Sequence, residues 1–165
     1  MTVELSPRAF GDEVVALAAP AGERRWRVDK RAVPVIAQTL VRDHGAVFAA
    51  LVATADGRLR HVFNLPDAYL TLESELGSGH AGFPSIAARV PASAWAEREV
   101  QDLFGFQPVG HPDPRPLVLP DDWPAHVHPL GEGVGKADGA AVARREFEYA
   151  RVEGDNVFEV RVGPI

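Results

Sequence analysis

The sequence contains no cysteine. Without thiols the chain can form no disulfide, supply no cysteine ligand to zinc or to an iron–sulfur cluster, and use no thiol nucleophile. No apolar run approaches the roughly 18 residues of a membrane span, and the N-terminus lacks a basic start followed by an apolar core. These absences predict a soluble, cytosolic polypeptide with no direct membrane insertion.

Positive charge is also scarce. The chain has 17 lysines and arginines against 23 aspartates and glutamates, which gives a net charge of −6. This balance argues against a nucleic-acid partner, because binding to phosphates relies on basic side chains. Hydrophobic residues nevertheless make up 46% of the 165 residues, enough for the core of one ordinary domain.

In the first 45 residues the spacing of apolar side chains predicts secondary structure weakly at first and then more clearly. The apolar stretch Val14–Ala19 predicts a short helix, and Glu23–Val28 predicts a first strand. Apolar residues at helical spacing then predict a helix that Asp29 caps and that runs to His44. Gly45 is the expected stop signal.

The middle of the chain favours strands. Ala46–Thr54 is almost wholly apolar, as expected of a strand covered on both faces, and Asp56-Gly57 favours a tight hairpin turn. Arg58–Leu65 and Tyr69–Leu76 alternate between apolar and polar residues, and Ile86–Val90 predicts a last strand. The predicted fold class is therefore α+β: an antiparallel β-meander packed with helices in two layers.

A short helix is predicted after Ser93, its expected N-cap, and it ends at Gly105. Its apolar stripe consists of Ala96, Val100, Leu103 and Phe104. Arg98 and Asp102 are four residues apart and are predicted to pair across one turn, while Glu99 at the edge of the stripe is expected to be partly buried.

A proline-rich arm follows this helix. Seven prolines between Pro108 and Pro129 predict an extended C-terminal arm that lies on its own domain or on a partner. The expected organisation is an α+β domain with this arm over residues 1–130 and a glycine- and alanine-rich linker over residues 131–145. Residues 146–165 are expected to form a β segment that begins a further unit.

Two sets of polar residues invite a chemical interpretation. His111, His126 and His128, with the nearby Asp113, Asp121 and Asp122, could bind a metal ion, which would make the chain a small metal-dependent enzyme. No third ligand lies at a fixed spacing, so the pattern favours no metal site. The acidic residues Glu97, Glu99 and Asp102 are more typical of a solvated or interfacial helix than of acid–base catalysis. The residues thus favour an interaction domain with no catalytic or cofactor-binding residue.

A family resemblance gives this interpretation a context. The run Glu97-Arg98-Glu99-x-x-Asp102-Leu103-Phe104-Gly105-Phe106, followed by Gly110-His111-Pro112-Asp113-x-Arg115, resembles the signature of the 30-kDa subunit family of respiratory complex I, the NADH:quinone oxidoreductase. About fifty residues carry the resemblance, from Phe83-Pro84-Ser85-Ile86 to His128-Pro129-Leu130.

The resemblance implies a non-catalytic, cofactor-free component of the hydrophilic arm of an oxidoreductase complex, at the cytoplasmic face of the membrane. It would contact the large subunit, which is related to the large subunit of [NiFe]-hydrogenases, and neighbouring iron–sulfur subunits. The residues expected at or supporting this interface are Glu97, Arg98, Glu99, Asp102, His111, Asp113, Arg115 and Trp123. The family commonly has a second basic residue where this sequence has Pro116, and an Arg-Lys-Asp run where it has Gly131-Glu132-Gly133.

The C-terminal residues carry a second resemblance. Phe158 to Ile165 are similar to the opening of the large subunit of membrane-bound, group 4 [NiFe]-hydrogenases of the formate hydrogenlyase type. This similarity implies that the chain is the N-terminal domain of such a large subunit. We therefore expect the native chain to continue past Ile165.

Overall fold

The structure is a computed structural model that describes residues 5–77, 82–120, 123–124, 126–131 and Gly154. The predicted linker over residues 131–145 and the β segment over residues 146–165 lie outside the described residues, apart from Gly131 and Gly154. Asp121 and Asp122 lie outside them as well.

Five strands form the main sheet. In chain order they are β1 (Val15–Leu17), β2 (Glu23–Arg27), β3 (Val47–Thr54), β4 (Arg58–Asn64) and β5 (Tyr69–Glu75). Their order in the sheet is β1-β2-β5-β4-β3, and every pair is antiparallel except β2–β5. The predicted antiparallel meander is confirmed for β3, β4 and β5, and the α+β class is confirmed with it.

The structure corrects the interpretation of the first apolar stretch. Val14–Ala19 does not form a helix; Val15–Leu17 is strand β1, paired with β2 in the register Val15 to Arg27. A segment this short gains too few helical hydrogen bonds to offset the cost of starting a helix. Pairing with a neighbouring strand satisfies its backbone instead.

Strand β3 is also exposed where burial was expected. It forms one edge of the sheet, and the side chain of Val47 is 62% exposed. The prediction that both faces are covered is therefore wrong. A short apolar run has no periodicity that separates an edge strand from a central one.

Helix α1 spans Val33–His44, with Ala32 rather than Asp29 at its N-cap. Asp29 instead accepts a hydrogen bond from the backbone N–H of Arg31 in the preceding turn, at 2.7 Å. The helix stops at Gly45 as predicted, because this residue has φ of 64°, a left-handed conformation that glycine adopts readily.

No strand forms over Ile86–Val90. The N–H of Val90 donates to the carbonyl of Ile86 at 2.8 Å, so this stretch is a turn that buries both side chains. The nearest strand is β6 (Phe83–Pro84), which pairs in parallel with β7 (Pro108–Val109). Residues at i and i+4 share a face in a helical turn, so the apolar pattern was compatible with either structure.

Helix α2 spans Ala94–Phe104. Helices α1 and α2 cover the same face of the sheet, and two apolar clusters lie beneath them. One cluster contains Trp26, Ile36, Leu40, Phe63 and Leu72, and the other contains Leu59, Leu76, Phe83, Val100 and Phe106. Within the described part of the chain, neither helix has the length and apolar character that crossing a bilayer requires.

Candidate functional site

Helix α2 organises the residues of the predicted signature. It starts after Ser93 and stops at Gly105, as the sequence predicted. The hydroxyl of Ser93 does not cap a helical N–H, however. The hydroxyl oxygen lies 3.0 Å from the carbonyl oxygen of Val90 and 3.1 Å from the carboxylate of Glu97. Both of these groups are hydrogen-bond acceptors for it.

Glu97 is fully buried in the first turns of this helix. Its carboxylate accepts hydrogen bonds from the backbone N–H of Ile86, at 2.8 Å, and from the hydroxyls of Ser85 and Ser93. Burial raises the pKa of Glu97, and these hydrogen bonds oppose part of that rise. Glu97 therefore ties the turn at residues 85–86 to α2 and presents no carboxylate to solvent.

Asp102 holds the segment that follows strand β7. One carboxylate oxygen, Oδ2, accepts three consecutive backbone N–H groups, from Leu117 at 2.7 Å, Val118 at 2.8 Å and Leu119 at 3.3 Å. Asp102 is itself buried. This carboxylate thus satisfies three donors that belong to no helix or strand.

Arg98 contacts the same segment rather than Asp102. Its Nε donates to the carbonyl of Arg115 at 2.7 Å, and its Nη2 donates to the carbonyl of Pro116 at 2.9 Å. The predicted Arg98–Asp102 pair is therefore wrong. Helical spacing brings the two side chains within reach of each other. Both of them instead form hydrogen bonds with backbone groups of residues 115–119.

Asp113 and Arg115 form a surface ion pair beside this contact. Nε and Nη2 of Arg115 donate to the two oxygens of Asp113 at 2.7 and 2.8 Å. The hydrogen bond from Arg115 is the main reason that the pKa of Asp113 lies well below its usual range. The Arg115 side chain remains 80% exposed, so its guanidinium is accessible to a partner.

His111 lies at the N-terminal end of α2. Its Nε2 is 3.0 Å from the carbonyl oxygen of Ala94, and its Nδ1 is 2.9 Å from the backbone nitrogen of Asp113. A carbonyl can only accept and an N–H can only donate, so Nε2 carries the hydrogen and Nδ1 accepts. Both ring nitrogens are therefore occupied, and neither has a lone pair left for a metal ion.

The other candidate metal ligands do not gather around His111. Nδ1 of His128 lies 2.9 Å from the carbonyl oxygen of Asp102, and His126 is exposed. Among the residues that the structure describes, no three histidine, aspartate or glutamate side chains are close enough to hold a metal ion.

The chain passes α2 a second time near its C-terminal end. The N–H of Leu130 donates to the carbonyl of Leu103 at 2.8 Å, and the His128 ring lies against Gly105. A Cβ at position 105 would lie 2.5 Å from Cδ2 of His128, so this close approach requires glycine.

The expected interface residues divide into two groups. Glu97, Asp102 and His111 are buried, and the side chain of Arg98 is only 12% exposed, so these residues shape the surface from beneath. Glu99, Asp113 and Arg115 reach solvent, and the expected partial burial of Glu99 is wrong. Trp123 is half-buried and donates from its indole nitrogen to the carbonyl of Val127 at 2.7 Å.

The sequence interpretation missed Trp95 as a surface residue. This tryptophan sits in the first turn of α2 and is 71% exposed, an uncommon environment for so large an apolar side chain. Val118, in the segment that Asp102 holds, is exposed as well. The available signal was the position of Trp95 outside the apolar stripe of its helix.

Comparison with known proteins places these features in a family. The family model described as "Respiratory-chain NADH dehydrogenase, 30 Kd subunit" matches residues 26–134. The chain is 50% identical over 62 residues to formate hydrogenlyase subunit 5 of Escherichia coli (strain K12), a match that covers 38% of this chain and 11% of that protein. This similarity confirms the predicted relationship to hydrogenase complexes.

A relative of the other type matches over a longer stretch. The NADH-quinone oxidoreductase C subunit of Salinispora arenicola (strain CNS-205) is 28% identical over 140 residues, which cover 74% of this chain and 57% of that protein. The chain thus spans little more than half of one relative and about a tenth of the other. Among solved structures, the trypsin-resistant fragment 1–134 of Nqo5 has the same fold, with a TM-score of 0.54, 15% identity and coverage of 65% of this chain and 92% of the fragment.

Proposed function

Since the chain belongs to the 30-kDa subunit family of the respiratory-chain NADH dehydrogenase, we propose that it is a structural and assembly component of an energy-converting oxidoreductase complex. In this role it binds a large partner of the [NiFe]-hydrogenase large-subunit type and carries out no catalysis itself. The complex is either an NADH:quinone oxidoreductase or a related membrane-bound [NiFe]-hydrogenase.

One observation carries this proposal: the charged signature residues of α2 bind the chain's own backbone. Arg98 and Asp102 hold residues 115–119 through five hydrogen bonds to main-chain atoms. Groups engaged in this way cannot also act on a substrate. They fix the shape of an irregular segment, which is what a docking surface of defined geometry requires.

The side chains left on the outside suit a protein partner. Trp95 and Val118 supply exposed apolar area, and Arg115 supplies an accessible guanidinium. Tryptophan and arginine are the residue types that most often dominate the free energy of protein–protein binding. We name these three residues the α2 docking surface, and we propose that the large subunit covers it.

The relatives support a large-subunit partner. The hydrogenase-type relative extends far beyond the region that this chain matches. In our proposal the chain is the N-terminal domain of such a polypeptide or a separate subunit beside it, with iron–sulfur subunits as further neighbours. The complex holds it at the cytoplasmic face of the membrane. The engaged ring nitrogens of His111 count against the alternative of a small metal-dependent enzyme.

The test is co-purification of this chain with the [NiFe]-hydrogenase-type large subunit of the same organism, expressed as a separate polypeptide. Trp95→Ser and Arg115→Ala should each lower the amount of bound partner at least tenfold, while the variants keep the wild-type melting temperature. The matched control is Val35→Ser, an exposed position on α1. Equal partner recovery in all four proteins would refute docking through the α2 docking surface.

A further inference from the structure

Strand β3 is an edge of the main sheet that lacks the usual protection. It has β4 as its only neighbour in the sheet, and Val47–Thr54 contains no charged residue and no proline. In the described part of the chain, no N–H or C=O group of residues 47–53 forms a backbone hydrogen bond outside the sheet. Natural proteins block such edges with charges, prolines or a covering segment, because an open edge pairs readily with another strand. One irregularity, between Phe48 and Ala50, leaves residues 50–54 as the regular part of the edge.

The apolar side chains along this edge are only partly covered. Leu51 and Ala53 face the core, opposite His61 and Leu59 of β4, yet both remain half-buried. They pack at the margin of the second apolar cluster, the one that contains Leu59. A further strand beside β3 would extend this cluster and bury both side chains, and it would satisfy the open backbone groups at the same time.

The last described stretch, residues 126–131, lies near the same edge. A Cβ on Gly131 would be 3.4 Å from the carbonyl oxygen of Phe104, the final residue of α2. The side chain of Phe104 packs against the apolar cluster that Leu51 and Ala53 adjoin. The residues that follow Gly131 therefore start beside β3, and a run as long as residues 132–157 is more than long enough to reach it.

The sequence after Gly131 contains one stretch with the pattern that this edge requires. A strand added to β3 directs alternate side chains to the core face and to the opposite, solvent-facing side. In residues 158–162 three apolar side chains alternate with two charged ones, namely Phe158, Val160 and Val162 with Glu159 and Arg161. Residues 147–151 alternate as well, but the same arrangement would turn Arg151 toward the core.

We propose that residues 158–162 of the same chain pair with residues 50–54 as an additional strand of the main sheet. The three apolar side chains of this stretch cover Leu51 and Ala53, and its two charged side chains point to solvent on the side of Val52. In a longer native polypeptide this pairing fixes where the following unit begins relative to the sheet. The proposal concerns β3 and does not depend on the α2 docking surface.

Two other occupants fit this edge less well. A second copy of β3 carries the same irregularity, which shortens the ladder, and it brings a second net charge of −6. A strand of another protein has to compete with a tethered segment whose effective concentration is roughly millimolar. Residues 158–162 meet neither objection, since they belong to the same chain and carry no net charge.

The chain has no native cysteine, so introduced cysteine pairs give a clear test in the full 165-residue chain. Val52→Cys is combined with Glu159→Cys or with Arg161→Cys, because all three positions share the solvent-facing side in our proposal. A bismaleimide with a span of about 8 Å reaches both direct and diagonal cross-strand neighbours. We expect intramolecular cross-linking of at least one of the two pairs in most molecules.

Two matched pairs serve as controls for this cross-linking. Val52→Cys with Val160→Cys places the two thiols on opposite faces of the added strand, and Val52→Cys with Val134→Cys tests a position outside it. Both control pairs should cross-link at least tenfold more slowly than the better of the two test pairs. Equal rates for all four pairs would overturn the proposal.

Hydrogen exchange gives an independent measurement. Val160→Asp would place a carboxylate against the core, which is unfavourable in any register of the added strand. The β3 amides that point away from β4 should therefore exchange at least tenfold faster in this variant than in wild type. Val134→Asp adds the same charge outside the proposed strand and should leave β3 unchanged. The amide of Leu70 in the central strand β5 should exchange slowly in all three proteins, which shows that the fold is intact.

Three results of the exchange experiment would overturn the proposal. The first is the same β3 exchange in wild type and in Val160→Asp. The second is protection of β3 that rises with protein concentration together with intermolecular cross-links, because a second copy would then occupy the edge. The third is protection that appears only when another protein is added, since the edge would then belong to that partner.

Discussion

The carboxylate of Asp102 and the backbone N–H of Leu117 lie 2.7 Å apart, although fifteen residues of chain separate them. The same oxygen accepts the next two backbone N–H groups. An acidic residue predicted as an i to i+4 helix partner is thus the anchor of an irregular segment. Its importance follows from geometry, since one charged acceptor satisfies three donors that otherwise have no partner in a strand or helix.

The first prediction tests this anchor. Asp102→Asn keeps the shape of the side chain but removes its charge, so three charge-assisted hydrogen bonds are weakened or lost. We expect a loss of about 1–3 kcal/mol in the free energy of unfolding and faster amide hydrogen exchange at Leu117 and Val118. Urea denaturation and exchange measurements check both effects. Glu99→Gln, on the exposed side of the same helix, is the control and should change neither quantity.

The second prediction concerns the buried Glu97. Because burial raises its pKa in the folded state, the folded protein binds its proton more tightly than the unfolded chain does. Stability should therefore fall as pH rises above the ordinary glutamate value of about 4.3. Glu97→Gln can keep the N–H of Ile86 paired through its side-chain carbonyl and cannot ionise. Relative to wild type, this variant should gain stability in urea titrations as the pH rises above about 4.3. A gap between the two proteins that does not change with pH would contradict this account.

The third prediction separates two roles of glycine. Gly45 and Gly105 both end helices with positive φ, but only Gly105 has a side chain, His128, within the space of a Cβ. Gly45→Ala should lower stability by about 1 kcal/mol through backbone strain alone. Gly105→Ala should lower it more, and His128→Ala should remove part of the excess. A double-mutant cycle measured by thermal denaturation checks this coupling; strictly additive effects would show that the contact carries no free energy.

How far the sequence predicted these features depended on the strength of each local pattern. In Arg58–Leu65 one face is regular, and only Val62 breaks the polar pattern of the other face. The stretch also lies next to an Asp-Gly turn, so strand β4 and its hairpin were predicted correctly. Val14–Ala19 and Ile86–Val90 are short, and their apolar residues suit a strand or a helical turn equally well. Contacts elsewhere in the fold decided between these alternatives: pairing with β2 made the first stretch a strand, and burial in the core accompanies the turn in the second.

Prediction of the candidate functional site also depended on local sequence patterns. The signature residues could be located from the sequence, because their spacing is local. The partners of Arg98 and Asp102 are backbone atoms 15 to 18 residues later in the chain. The pattern of side chains does not show which backbone donors and acceptors a later loop places against a helix. The hydrogen bonds of Arg98 and Asp102 to the chain's own backbone were therefore seen only in the structure.

His61 provides the last prediction. It lies on the core face of β4, opposite Leu51 and Leu72, and is almost completely buried. Neither ring nitrogen has a hydrogen-bond partner among the described residues. Burial therefore lowers the pKa of His61 to about 4, since a charged imidazolium would lose its hydration there without gaining a partner.

Stability should consequently fall when pH drops from about 6.5 toward 4. Above this range the imidazole is neutral in both states, whereas within it the unfolded chain takes up a proton that the folded protein excludes. The full difference corresponds to roughly 3 kcal/mol by about pH 4. His61→Leu removes this penalty, so its urea midpoint should fall less on acidification than that of wild type. His126→Gln removes an exposed histidine and should behave like wild type. If His61→Leu lost stability in parallel with wild type, the acid sensitivity would have to come from other groups.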